Sequence, residues 1–319
     1  MPSSRVRVLN LLDGLKEHDI ESEVIKYPSG FLDKIRLFKR CKEFDAVYLQ
    51  KRLLAPVDVL LLRCNSAFLV FDFDDAIYCR HESTQIDKNA NRYQKFKSID
   101  SRADLIIAGN NVLKKVASEF NDNIEIIPSA VFVKDIPKKN YSFQSEKLII
   151  GWVGSSVNLS YLKLLAPVLR RLTKKYPIQL RIICDVRLDI DGVDVKFIPW
   201  SIDTQDMEIA KFDIGIMPLA DSLYASGKCG YKALQYMAAA VPAVVSDVGV
   251  NIDIVQHGSL GEVAKTVDDF YPALEKLLLS AADRKLKGEA SRLEVIENYS
   301  IKAVSCSLAT ILKKNLTYI

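Results

Sequence analysis

Phe212-Asp213-Ile214-Gly215-Ile216-Met217-Pro218-Leu219, followed by Ser226-Gly227-Lys228-Cys229-Gly230 and a helical pattern over 231–240, reads as a strand, a small basic loop and a helix. A strand apolar along most of its length belongs to a parallel sheet covered on both faces. The loop that opens the helix suits an anion: glycines let the backbone approach, a helix N-terminus presents N–H groups, and Lys228 adds a full charge. A solvated lysine in a tight turn is the plainer reading of the same residues. A triphosphate P-loop is excluded, because G-x-x-x-x-G-K-[ST] needs glycine where Ser222 stands and a hydroxyl where Cys229 stands. Tyr231 and Gln235 are four apart and share a helix face, where Gln235 either hydrogen-bonds a sugar or ribose hydroxyl or sits at the surface.

Working outward, short β-branched runs alternate with amphipathic stretches along the chain. Strands are predicted over 21–26, 46–49, 67–73, 105–108 and 124–127, and again over 148–153, 180–184, 196–198, 214–218, 243–246 and 261–264. This is the pattern of parallel sheets covered by helices. The polar stretch 133–147 lacks apolar periodicity and separates the two series, so domains are expected over 1–140 and 141–299. A last helix over 300–319 either caps the second domain or returns to the first. The chain opens on a helical stretch, 8–18, with no strand before it, although a nucleotide-type sheet normally begins with a central strand. That start leaves the loop Pro2-Ser3-Ser4-Arg5 untethered and suggests a reading frame that begins upstream or a loosened first domain.

Composition narrows the function classes. The 319 residues are 49% hydrophobic and 26% charged, a globular profile of about two domains. Lys and Arg number 44 against 40 Asp and Glu, a surplus of +4 that argues against nucleic acid as the main partner. No apolar run reaches the roughly 18–20 residues of a membrane span, and the N-terminus lacks a signal peptide's apolar stretch, so a cytoplasmic protein is expected. Six scattered cysteines without a C-x-x-C pair indicate neither zinc ribbon nor disulfide framework, and are expected to be reduced thiols, mostly in the core.

Two further segments carry chemistry. Gly151-Trp152-Val153-Gly154-Ser155-Ser156 follows the first strand of the second series, and loops at the carboxyl ends of parallel strands are where such sheets bind ligands. Gly154 and Ser155 therefore either face the same cleft as Gly230 or form an ordinary turn. A lipase-like G-x-S-x-G fails because Val157 and Asn158 follow Ser156. Asp72-Phe73-Asp74-Asp75 ends an apolar strand, where carboxylates must be solvated, paired or used. Asp72-x-Asp74 invites a metal reading, set aside because a hard cation needs further oxygen ligands that the sequence does not mark. Orientation of substrate hydroxyls is preferred; an N-cap with surface acids is the alternative.

Taken together, the segment 212–258, Phe71-Asp72-Phe73-Asp74-Asp75-Ala76-Ile77-Tyr78, Ala103-Asp104-Leu105-Ile106-Ile107-Ala108-Gly109-Asn110 and Gly151-Trp152-Val153-Gly154-Ser155 resemble, in order, the bacterial glycosyltransferases of the group-one (family four) class. The resemblance implies an α/β protein of the GT-B fold: two Rossmann-like domains facing a cleft, the acceptor mostly on the first and the donor nucleotide sugar mostly on the second. It also implies a retaining, metal-independent transferase without cofactor. That class has two glutamates eight positions apart that grip the donor; Gly227 and Gln235 stand there, and Ser155 and Ser156 stand where an arginine and a lysine often hold the diphosphate. Asp74 aligns with the class's catalytic-loop histidine.

The implied donor side comprises Gly154, Ser155, Pro199, Trp200, Gly227, Cys229, Gly230, Tyr231, Lys232 and Gln235, with Trp200 either a wall for the base or a core residue. The acceptor side takes Ser3, Ser4 and Arg5, and the catalytic assignments are Asp74, Asp75 and Lys228, with Lys228 and the loop N–H groups stabilising the departing diphosphate. The expected activity moves a hexose-type sugar to a glycan or lipid-linked acceptor in surface polysaccharide or glycolipid synthesis; a sugar-nucleotide epimerase and a non-catalytic nucleotide-sugar binder are the alternatives. The basic stretch 31–52, with Phe31, Ile35 and Phe38 at helical spacing, is either a peripheral contact with the inner face of the membrane or a solvated helix face.

Overall fold

A computed structural model describes residues 2–81, 83–142 and 146–317, so part of the polar link (143–145) and the last two positions of the helix expected over 300–319 lie outside the described residues. The chain forms two units: residues 1–130, 222–229 and 301–319 make the first, and residues 131–221 and 230–300 the second.

The first unit is built on four parallel strands in the order β1-β2-β3-β4: β1 Val47–Gln50, β2 Leu69–Phe73, β3 Leu105–Ala108 and β4 Ile124–Ile126. β2 and β3 are buried along their whole length, as near-continuous apolar runs demand. Phe71, Phe73, Val59, Leu62, Phe96 and Leu113 form the core on one face of the sheet. Val70, Leu105 and Ile107 face the other way, against Leu11 and Leu15 of the N-terminal helices and Val304, Leu308 and Leu312 of helix Ile301–Leu316. The C-terminal helix thus returns to the first unit.

Two readings of the N-terminal region are corrected. Residues 21–26 form no strand; Val24 and Ile25 are exposed and among the described residues pair with no neighbouring strand, so their alternation has no sheet to serve. Nor is the start of the chain untethered. Helix Pro2–Arg7 is fastened by Ser3 to Lys51, by Ser4 to Gln50 and by Arg7 to Asp72.

The second unit has six parallel strands: β5 Leu148–Val153, β6 Ile178–Cys184, β7 Val195–Pro199, β8 Ile214–Met217, β9 Ala243–Ser246 and β10 Gly261–Ala264. Their order, β10-β9-β8-β5-β6-β7, is that of a dinucleotide-binding sheet, which reverses direction of winding between β5 and β8. Ladder pairing across that junction is limited to Ile150–Ile214 and Gly151–Gly215. Beyond it the buried Tyr236 hydroxyl takes over, accepting from Val153 N–H at 3.1 Å and donating to the Ile216 carbonyl at 3.1 Å. The polar link packs on this unit, where the buried Arg292 guanidinium donates to the carbonyls of Val133, Ile136 and Ala238.

All six cysteines are free thiols; Cys41, Cys79 and Cys184 are buried, Cys229 is half-buried, and Cys64 and Cys306 are exposed. Among the described residues no helix is long and apolar enough to cross a membrane.

Candidate functional site

The first unit gathers a charged cluster at the carboxyl end of β2. Asp74 and Asp75 follow that strand, and Lys51 follows its neighbour β1. The Lys51 ammonium donates to Asp75, pairs with Asp74 at 3.0 Å and donates to Ser3 Oγ at 2.8 Å. Lys51 has a left-handed backbone, φ 57°, which a non-glycine residue adopts only where its surroundings impose it, often at functional sites. Burial works against its charge, but Asp74 and Asp75 hold its pKa above the ordinary lysine value. Asp75 is pushed above the ordinary carboxylate value by burial and by Asp74, with Lys51 opposing.

Asp72, by contrast, is fully buried and spoken for. Arg7 Nε donates to its two oxygens at 3.0 and 3.1 Å, Arg7 Nη2 makes a third bond, and Nη1 donates to the Ile127 carbonyl at 2.7 Å. This carboxylate joins the N-terminal helix to the sheet. Among the described residues no group of three or more His, Cys, Asp or Glu is placed to hold a metal ion.

Residues 222–229 also belong to the first unit. Ser222 caps helix Leu223–Ser226 by accepting from Ala225 N–H, and Asn110 caps helix Asn111–Ala117 while its amide donates to the carbonyls of Gly227 and Lys228 at 3.3 and 3.2 Å. The Lys228 ammonium lies 4.8 Å from the Tyr224 ring centre. Burial lowers its pKa, with Asp75 acting in the opposite sense. Ser3, Asp74, Asp75 and Lys228 are therefore brought into one neighbourhood. Ser4 turns to Gln50 at 3.0 Å, and Arg5 makes no ion pair among the described residues.

In the second unit the winding reversal places the Gly154 loop beside helix Tyr231–Ala238. Gly230 precedes that helix with φ 66°, and a Cβ there would lie 2.1 Å from Ile254 Cδ1, so only glycine makes this turn. Gly230 has no side chain with which to cap the helix, and no acid lies in its first turn. Lys232 reaches across Gly154, where a Cβ would meet its Cε at 2.7 Å, and its ammonium lies 5.4 Å from a Trp152 ring centre. Tyr231 is half-buried at the same helix end.

Ser155 and Ser156 are engaged locally. Ser155 Oγ accepts from Asn158 at 3.1 Å, whereas Ser156 donates through N–H and Oγ to Asp185, which holds that carboxyl below its ordinary pKa. Gln235 is buried, and its amide donates to Gln205 at 3.4 Å; Gln205 also accepts from the Trp200 indole N–H at 2.9 Å. Pro199 is exposed, and Trp200 keeps 44% of its surface in solvent. Cys229 lies in the first unit, one residue before Gly230 begins the return to the second.

Sequence reading missed Lys51, Arg7 and Tyr224. Lys51 had a usable signal, since it directly follows a parallel strand and such positions line ligand sites. Arg7 had none, because its partner lies 65 residues away.

Residues 147–280 match the family described as Glycosyl transferases group 1. No curated protein matches the chain. Among solved structures, Anabaena Alr3699/HepE in complex with UDP is 13% identical with a TM-score of 0.72, covering 98% of this chain and 97% of that one. A glycosyltransferase from Rickettsia africae ESF-5 is 15% identical with a TM-score of 0.71, covering 96% and 88%. Sucrose-phosphate synthase from Thermosynechococcus elongatus is 13% identical with a TM-score of 0.70, covering 93% and 82%. The fold is GT-B.

Proposed function

We propose that this chain, whose residues 147–280 match the family of group 1 glycosyl transferases, moves a hexose-type sugar from a nucleoside diphosphate to an acceptor hydroxyl with retention at the anomeric carbon. The observation that carries the reading is the junction of β5 and β8, where the Gly154 loop, Lys232 and the helix start after Gly230 converge. Such a junction favours a nucleotide, and the helix end and lysine favour its phosphates.

In the reaction, the bond from the anomeric carbon to the diphosphate breaks, the acceptor oxygen bonds to that carbon, and the acceptor proton leaves with the diphosphate. Lys232 and the helix N-terminus stabilise the charge that grows on the leaving group, with Lys228, two residues before Gly230, as the second cation. Asp74 and Asp75 favour a sugar that is becoming cationic. The transfer is metal-independent on this reading: Arg7 occupies Asp72, and Lys51 supplies beside Asp74 and Asp75 the positive charge a divalent ion would bring. A uridine donor is the first to test, since HepE of the same fold binds UDP.

The acceptor is a glycan or lipid-linked hydroxyl of surface polysaccharide or glycolipid synthesis, and the protein works in the cytoplasm at the inner face of the membrane. That contact uses a smaller surface than the whole stretch 31–52. Lys51 is held by Asp74 and Asp75, Lys34 by Asp58, and Arg52 stacks on Tyr27. The exposed apolar residues there are Phe31 and Leu32, with Val57 and Leu60 on the adjoining helix Pro56–Asn65, and Lys39 and Lys42 are exposed beside them.

The test is a melting screen with UDP, GDP, dTDP and CMP sugars, then transfer assays over an acceptor panel with and without EDTA. Free nucleotide with a glycosylated acceptor, unaffected by EDTA, is the expected result. An isomeric nucleotide sugar formed without acceptor would mean an epimerase, and loss of turnover on chelation would mean a metal enzyme. A second reading, a nucleotide-sugar binder without turnover, draws on Gly227, which leaves no room for the carboxylate that the class places there. Donor binding without transfer to any acceptor would favour it.

A further inference from the structure

Beside the charged cluster the first unit holds a cavity of about 640 Å³, within the range of small-molecule sites. Its walls include Leu53, Tyr78 and the start of helix Asn91–Asp100. Three cations line it, Arg80, Arg92 and Lys95, against one carboxylate, Asp87, which already accepts from Asn89 N–H at 3.0 Å. Arg92 is anchored by a 2.8 Å bond from Nη1 to the Cys79 carbonyl. Arg80 and Lys95 make no ion pair among the described residues.

Two further features favour an anion. The helix is preceded by Ala90, whose side chain cannot cap it, and its first turn holds no acid, so at this positive end of the helix the cavity lining has Asp87 as its one carboxylate. Tyr78 is 1% exposed, and among the described residues its hydroxyl has no hydrogen-bond partner. A buried donor without an acceptor is unfavourable unless a ligand supplies one. Burial also keeps the Cys79 thiol, another wall residue, un-ionised by pushing its pKa up to about 11, so it adds no negative charge.

We propose that this cavity binds a phosphoryl group carried by the acceptor. The assignment rests on the transferase reading and adds to it the chemical class of the second substrate. Arg80 and Lys95 supply charge, Arg92 a guanidinium fixed in direction, and Tyr78 a neutral donor. The phosphate belongs either to a soluble sugar phosphate or to a lipid-borne one; the chemistry recognised is the same.

Calorimetric titration of the full chain with inorganic phosphate, glucose, glucose 6-phosphate and farnesyl phosphate tests this without requiring turnover, so it can fail while transfer stands and stand while transfer fails. The three phosphorylated probes are expected to bind and glucose not to bind. Arg80→Ala/Lys95→Ala, both at the cavity rim, is expected to weaken them at least tenfold. Tyr78→Phe is expected to weaken them severalfold without lowering the melting temperature. Tighter binding of farnesyl phosphate than of glucose 6-phosphate would assign the lipid source, and the reverse order the soluble one. Glucose binding as well as its phosphate, unchanged affinity in both variants, or displacement of the bound phosphate by UDP would overturn the proposal.

Discussion

Gly227 lies so close to Ala76 that a Cβ on it would stand 2.7 Å from the Ala76 Cβ and 3.0 Å from its backbone nitrogen, with Leu113 at 3.1 Å. The position is closed by backbone, which cannot move aside as a flexible side chain can. Gly227→Glu, the change that would supply the class's first carboxylate, is therefore expected to destabilise the protein by about 1 to 3 kcal/mol through overpacking, without raising turnover. Urea unfolding and a transfer assay check this; an active variant of unaltered stability would contradict the packing argument.

Tyr236→Phe removes one oxygen and leaves two backbone groups, Val153 N–H and the Ile216 carbonyl, without their partner. The expected loss is about 1 to 3 kcal/mol, the range for buried polar groups left unpaired. Because the hydroxyl sits at the β5–β8 junction, donor affinity should fall as well. Calorimetry on both proteins separates the two effects.

Lys228→Ala is expected to weaken nucleoside-diphosphate binding and turnover together by about 1.5 to 3 kcal/mol, as for a charge-assisted hydrogen bond. Since burial lowers the lysine's pKa, its contribution should fade as alkaline pH is approached sooner than for an exposed lysine. Equal kcat/KM for variant and wild type across that range would remove Lys228 from the site.

Asp100 is fully buried, with neither carboxylate oxygen hydrogen-bonded among the described residues, and burial pushes its pKa up to about 8. The unfolded chain ionises this carboxyl at its ordinary value near 3.8, so between about pH 4 and pH 8 the unfolded state binds fewer protons than the folded one. Stability must then fall as pH rises through that window and level off above it. Asp100→Asn should abolish this component, gaining about 1 to 3 kcal/mol over wild type at pH 8.5 relative to pH 4.5. Parallel urea melts at the two pH values decide it.

Phe31 and Leu32 are 73% and 66% exposed, and Val57 and Leu60 are 61% and 52% exposed. Flotation with anionic liposomes at low salt should carry the protein upward, and Phe31→Ser/Leu32→Ser should abolish flotation without affecting donor binding. Wild-type protein left at the bottom of the gradient at low salt would exclude the contact.

The parallel sheets were legible because buried strands write themselves as apolar runs: 148–153, 243–246 and 261–264 match the observed β5, β9 and β10 to the residue. The same rule misread 21–26, since alternation shows which residues suit a sheet but not whether a neighbouring strand is there to pair with them. The small loops at 154 and 230 were legible from position alone. What eluded the sequence was pairing over distance: Lys51 looked like part of a basic surface until the fold set it against Asp74 and Asp75, and Gln235 looked available until the fold set it against Gln205.

The first unit takes its residues from three stretches of chain and the second from two, alternating along the sequence. This fixes an order of completion during synthesis. The second unit has all its residues once position 300 has left the ribosome, whereas the first still lacks helix Ile301–Leu316, which covers Val70, Leu105 and Ile107. The half of the protein made first is thus the half finished last, and part of its apolar face stays uncovered until residues 301–316 emerge.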